Sequence, residues 1–159
     1  MRRLIKRVGL SALGLLVVAF LGIQFVPYGR GHDNPPVVLE PTWDSPRTRA
    51  LAVEACFDCH SNETVWPWYS NIAPLSWWVQ RHVDDGRSEV NFSRWDVPQD
   101  EADEIAKETR EGKMPPWYYK PISGLTDTES RELIDGLVAT FGEERDDEHR
   151  RDRDDGDDD

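Results

Sequence analysis

Apolar positions fall into two patterns along this chain: one unbroken run near the start, and several helix-spaced sets beyond residue 42. The run, Val8 to Val26, spans 19 residues and is interrupted only by Ser11 and Gln24. Wound as a helix it is about 28 Å long, close to the thickness of a bilayer's hydrocarbon core. It predicts a transmembrane anchor over 8–26. A cleaved signal peptide is the competing reading. Against it, the run exceeds a signal core and no small-x-small site follows Phe25. Beyond it, Pro27, Gly29, Gly31, Pro35, Pro36 and Pro41 predict a semi-extended spacer over 27–41.

From residue 42 to 142 the periodicity is helical, with no convincing strand alternation. Arg47 to His60 reads as one helix. A second opens at Pro74, a good first-turn residue, and stops before Gly86, read as its C-terminal cap. Its Leu75, Trp78, Val79 and His82 follow i, i+3, i+4, i+7 spacing. A third covers about Asp100 to Glu111, with Ala102, Ile105, Ala106 and Thr109 on one side. A fourth opens at Thr126, whose Thr-x-x-Glu with Glu129 is a capping box. It buries Leu133, Ile134, Leu137, Val138 and Phe141 and ends at Gly142. The expected class is all-α.

Charge refines this layout. The chain carries 31 acidic and 19 basic side chains, net −12. Four of the basic ones (Arg2, Arg3, Lys6 and Arg7) lie in segment 1–7, so the remainder is more acidic still. Phosphate contacts need clustered Lys and Arg, which excludes nucleic-acid binding. A basic start before the anchor keeps the N-terminus cytoplasmic and sends the rest outward. The acidic end, 143–159, has nothing to bury and is expected to be disordered. About a hundred residues, holding all seven tryptophans, must then form the core. A domain that small is marginal by burial alone, and a large flat cofactor would supply apolar interior.

Cys56-Phe57-Asp58-Cys59-His60 is a C-x-x-C-H motif containing the only two cysteines. On a helix, thiols at i and i+3 and an imidazole at i+4 share one face. Two thiols can then add to the vinyl groups on one haem edge while His60 reaches the iron; this pentapeptide is an attachment signal. A redox C-x-x-C pair would want a preceding strand and a β-α-β pattern. Zinc would need two further ligands at finger-like spacing, which His82 alone does not supply. A disulfide across i and i+3 closes too small a loop to stabilise much. Thioether attachment occurs outside the cytoplasm, where the anchor delivers the motif. One covalent haem c is therefore expected on Cys56, Cys59 and His60.

Met114, the one methionine besides the initiator, lies in Lys113-Met114-Pro115-Pro116-Trp117. A thioether is a soft ligand that favours ferrous iron, and the prolines stiffen its loop. It is the expected sixth ligand, although a lone methionine more commonly fills a core gap. His82, on the apolar face of the second helix, is the rival; an open site is the third option. His32 and His149, in spacer and tail, are poor candidates. Trp66, Trp68, Tyr69, Trp77, Trp78, Trp117, Tyr118 and Tyr119 are expected to be buried, as core or as walls that exclude water from a haem.

Four segments carry a wider likeness: Cys56 to Thr64, Trp66 to Trp77, Gly86-Arg87 with Asn91 to Trp95, and Met114 to Tyr119. Together they resemble the bacterial haem-binding-domain family, small membrane-attached c-type haem proteins, over roughly Leu51 to Leu137. The resemblance implies a cytochrome c-like helical haem domain in which Cys56 and Cys59 attach haem, His60 ligates it and Met114 is the distal ligand. Where the family usually has His-Pro after Met-Pro-Pro, this chain has Lys120-Pro121, so no role for that histidine carries over. The expected function is one-electron transfer with redox partner proteins at the outer face of the bacterial inner membrane, where the N-terminal helix contacts lipid. A peroxidase-like enzyme would need a distal base or arginine, for which only Arg81 or His82 offers itself; a haem-based sensor or assembly subunit is the other alternative.

Overall fold

A computed structural model describes residues 2–99 and 101–142, with side chains from Lys6 onward. The predicted disordered tail at 143–159 lies outside the described residues, as does Asp100. The all-α expectation holds: seven α-helices, one short 3-10 turn and a single isolated bridge make up the regular structure among the described residues.

Helix α1 (Arg2–Ile23) carries the apolar run as far as Ile23, three residues short of the expected end at Val26. Over Lys6–Ile23 it is long and apolar enough to cross a membrane, and none of that stretch is buried against the rest of the chain. Residues 24–26 close it with three-residue turns.

The expected helix from Arg47 to His60 is two helices. In α2 (Pro46–Ala55), Ser45 caps the start by accepting from Thr48 N–H at 3.1 Å, with Pro46 in the first turn. It buries Thr48, Leu51, Ala52 and Ala55. At Cys56 the backbone turns to φ −124°, ψ −37°, and α3 (Phe57–His60) is a separate single turn. The break lets Phe57 enter the core, where it stacks on Phe92 at 5.6 Å. Helical spacing alone held no signal for that kink.

Helix α4 (Leu75–Glu89) runs three residues past Gly86, so that glycine is no cap. Its buried stripe is Ser76, Val79, Val83 and Gly86. Leu75, expected on the buried face, is exposed. Helix α5 (Ile105–Arg110) is shorter than expected; residues 101–104 form turns and no side chain caps its start. A short α6 (Lys120–Ser123) and the 3-10 turn Trp68–Asn71 were not expected. Helix α7 (Asp127–Phe141) matches its prediction closely, with the Thr126–Glu129 capping box and Gly142 closing it.

The core lies where α2, α5 and α7 meet the segment 90–95. Leu51, Ala52, Ala106, Leu133 and Leu137 are essentially inaccessible. Five rings fill the rest: Trp43, Phe57, Phe92, Trp95 and Phe141, with centroids 5.1–6.2 Å apart. Of these five only Phe141 was expected to be buried. Trp68 and Trp117 are 77% and 81% exposed.

The segment 27–41 is extended but fastened along its length. His32 stacks on Trp66 at 4.7 Å and meets Ser70; Asn34 donates to Thr64 O at 2.9 Å; Leu39 bridges to Arg94. Arg87 crosses from α4 to the carbonyls of Ser61 (2.7 Å) and Asp33 (2.9 Å). At its far end, Glu40 grips Arg49 of α2 through two bonds of 2.6 and 2.7 Å and accepts from the Trp43 indole. Chiefly those Arg49 bonds hold the Glu40 carboxyl below its ordinary range. A carboxyl depressed on folding adds stability above the unfolded value of about 4.3, lost as pH falls through the lower folded value. Glu40→Gln is expected to cost about 0.5 kcal/mol at pH 7, for a partly exposed pair. The gap from wild type should close below about pH 4, as read from thermal melts at several pH values.

Candidate functional site

The C-x-x-C-H motif begins at the break before α3 and fills that helix, and its five residues divide the work. Phe57 anchors the turn in the core. Asp58 holds it from outside: its Oδ1 accepts from Val65 N–H at 2.9 Å, its carbonyl from Thr64 Oγ1 at 2.8 Å, and its Oδ2 from the Tyr119 hydroxyl. Tyr119 belongs to the Met-Pro-Pro segment, so this last bond ties the two motif segments across 61 residues of sequence. The backbone bonds Cys59 N–H to Cys56 O (3.1 Å) and His60 N–H to Cys56 O (2.9 Å) close the turn.

Helix α4 lies against this turn at Gly86. A Cβ there would stand 2.6 Å from Cys59 O and 3.1 Å from Cys59 Cβ. The glycine read as a helix cap is thus the point where two backbones touch, which a bare Cα permits. The segments that carry the family likeness close around the same place. Phe92 N–H donates to His60 O at 2.8 Å, Ser93 Oγ accepts from Asn62 N–H, and Asn91 donates to the Asn62 side chain.

Chemically, the two thiols and the imidazole are each held in one state. Burial, then the neighbouring Cys59, pushes the Cys56 thiol up to about 12. Burial and the Asp58 carboxylate push Cys59 up to about 11, partly offset by Arg87. Both are protonated at neutral pH, unlike the low-pKa thiolates of redox pairs. Burial also lowers His60 below the usual imidazole value, against the pull of the Val90 and Gly86 carbonyls, so the ring is neutral. Its Nδ1 lies 3.1 Å from Val90 O. A carbonyl only accepts, so Nδ1 carries the proton and Nε2 keeps a free lone pair. That is the usual second contact of a metal-ligating histidine.

Cys56, Cys59, His60 and Met114 all line one cavity of about 770 Å³, within the rough 300–1,000 Å³ range of cofactor sites. Val79, Val83, Phe92, Trp78 and Tyr118 supply apolar wall. His82 lines it too; its Nδ1 meets Trp78 O at 2.7 Å, and its ring packs near Trp78 (4.3 Å) and Tyr118 (5.6 Å). His32 does not reach the cavity and stacks on Trp66 instead; His149 lies outside the described residues. Sequence reasoning missed Asp58, Gly86 and Val90 as parts of the site. Asp58 lies inside the motif and Gly86 in a segment of the family likeness, whereas Val90 left no trace.

The residues present fit a haem: two protonated thiols one turn apart, a neutral imidazole with its far nitrogen committed, a thioether, and an aromatic-walled cavity. Among the described residues no three His, Cys, Asp or Glu side chains are grouped to hold a metal ion unaided. The cavity's described lining includes six carboxylates, from Asp58, Asp85, Glu89, Glu101, Glu104 and Glu108, but no lysine or arginine. A sequence model of a family described as a haem-binding domain matches residues 18–139, most of the chain. No curated protein and no solved structure matches it.

Proposed function

The chain belongs to the haem-binding domain family, and from that premise we propose a membrane-anchored c-type haem protein that passes single electrons. Haem follows from the family; the finer reading rests on one observation. Both thiols, His60 and Met114 converge on a single aromatic-walled cavity. In this reading residues 42–142 form the haem domain and one haem is bound through thioethers to Cys56 and Cys59. When bound, haem supplies a one-electron iron couple. The chain's own residues do the rest. His60 presents Nε2, oriented by Val90 O. Met114 offers a soft second donor. Trp78, Tyr118 and the valines of α4 keep water from the ring.

The anchor reading is supported by an α1 that opens with Arg2, Arg3, Lys6 and Arg7 and continues as an apolar, unburied stretch. Such a helix finds its burial in lipid, with its basic end in the cytoplasm. The haem domain then faces the extracytoplasmic side of the inner membrane and meets redox proteins there.

A visible spectrum of the membrane-extracted protein, with a pyridine haemochrome, tests the cofactor assignment. Thioether-linked haem gives the c-type haemochrome; a spectrum of haem with intact vinyl groups would refute covalent attachment. For the sixth ligand, Met114→Ala is expected to abolish the methionine–iron charge-transfer band and lower the reduction potential. A second reading comes from His82, whose Nδ1 bond to Trp78 O leaves Nε2 free on the same cavity wall. An unchanged spectrum and potential in Met114→Ala, with both altered in His82→Ala, would select that histidine.

A further inference from the structure

The end of α1 is bolted to the haem domain at one residue. Gln24 Oε1 accepts from Ala73 N–H at 3.1 Å while its Nε2 donates to Ala73 O at 2.9 Å. Arg30 holds the same amide from the other side at 2.8 Å. Five residues on, Gly29 presses against α4: with φ +76°, its missing Cβ would stand 2.2 Å from Ser76 O. Tyr28 reaches Asp84 at 3.3 Å. The domain therefore meets the end of α1 and the turn after it at Ala73, Ser76 and Asp84, just before and along α4.

Beside that junction runs an uncharged stretch of chain. Residues 64–80 carry no charged side chain, in a chain that is 31% charged. Trp68 is 77% exposed, Leu75 47% and Ile72 37%, and Phe25 and Tyr28 across the junction are exposed too. Trp68, Ile72 and Leu75 do not line the cavity, so the cofactor does not cover them. Amphipathic rings next to the end of an apolar helix are what membrane–water boundaries collect.

We propose that the 3-10 turn and the start of α4 lie in the headgroup boundary of the bilayer that α1 spans, with Trp68, Ile72 and Leu75 immersed in it. The inference rests on the anchor reading. The aqueous alternative leaves a charge-free aromatic face in water beside a lipid-embedded helix. Lipid covers it with no further partner, because the Gln24 clamp sets that face at the depth where the apolar run ends.

The test uses the full haem-loaded chain in phosphatidylcholine–phosphatidylglycerol vesicles, with benzoylphenylalanine introduced at Trp68, Leu16 or Arg131. After irradiation, positions 68 and 16 are expected to gain the mass of one phospholipid and position 131, on α7, none. Adding Gln24→Ala should reduce the adduct at 68 several-fold and leave that at 16 unchanged. Lipid on 16 but none on 68 overturns this inference and spares the anchor. Lipid on neither removes the anchor and the inference together.

Discussion

Replacing both Cys56 and Cys59 with alanine is expected to abolish covalent haem entirely. The variant should have the mass of its polypeptide alone, and acid–organic extraction should strip any remaining colour. The turn itself should survive. Its closure comes from backbone bonds to Cys56 O and from Phe57 in the core, neither of which needs sulfur. His60 keeps its bond to Val90 O and the cavity keeps its walls. Haem can therefore still bind, but by ligation and burial only. A single substitution should leave one thioether and an intermediate haemochrome spectrum. Haem that withstands extraction in the double variant would show that attachment lies elsewhere.

Gly86→Ala should destabilise the domain, against the ordinary preference of helices. Inside an exposed helix the change gains about 1 kcal/mol. Here the new methyl would meet a carbonyl oxygen at 2.6 Å and a carbonyl carbon at 3.0 Å, both backbone atoms of Cys59. No rotamer relieves that overlap, so α3 and α4 must separate. Overpacking of this kind costs roughly 1–3 kcal/mol, and contact with a second backbone argues for the upper part of that range. The net loss is then about 1–2 kcal/mol, or on the order of 10 °C in Tm for a domain of about a hundred residues. Because the displaced backbone carries Cys59 and precedes His60, haem loading should fall as well. An unchanged or raised Tm would mean that the close approach does not govern the site.

What could be read from residues alone was what depends on neighbours in sequence. The capping box at Thr126 and Glu129 and the apolar helix at the start of the chain are local devices, and both stand where expected. The misreadings share the opposite property. Cys56 breaks a helix because Phe57 finds Phe92, 35 residues later in the chain. Gly86 resembles a cap until Cys59 is seen against it. Trp68 and Trp117, counted as core, are exposed, while Trp43 and Trp95 join three phenylalanines inside. Hydrophobicity says that a ring prefers burial; only the packed partners say which rings obtain it. Tyr119 and Asp58 likewise meet through a fold that no spacing rule encodes.

The fastened segment 27–41 decides how far the cofactor cavity can travel. Fifteen loose residues would span up to about 50 Å, a leash on which the domain could swing between distant donors and acceptors. Pinned at His32, Asn34, Leu39 and Glu40, with Gln24 locked to Ala73, it allows no such sweep. The cavity then turns with α1 as one piece, and a redox partner of the proposed electron carrier would have to do the travelling.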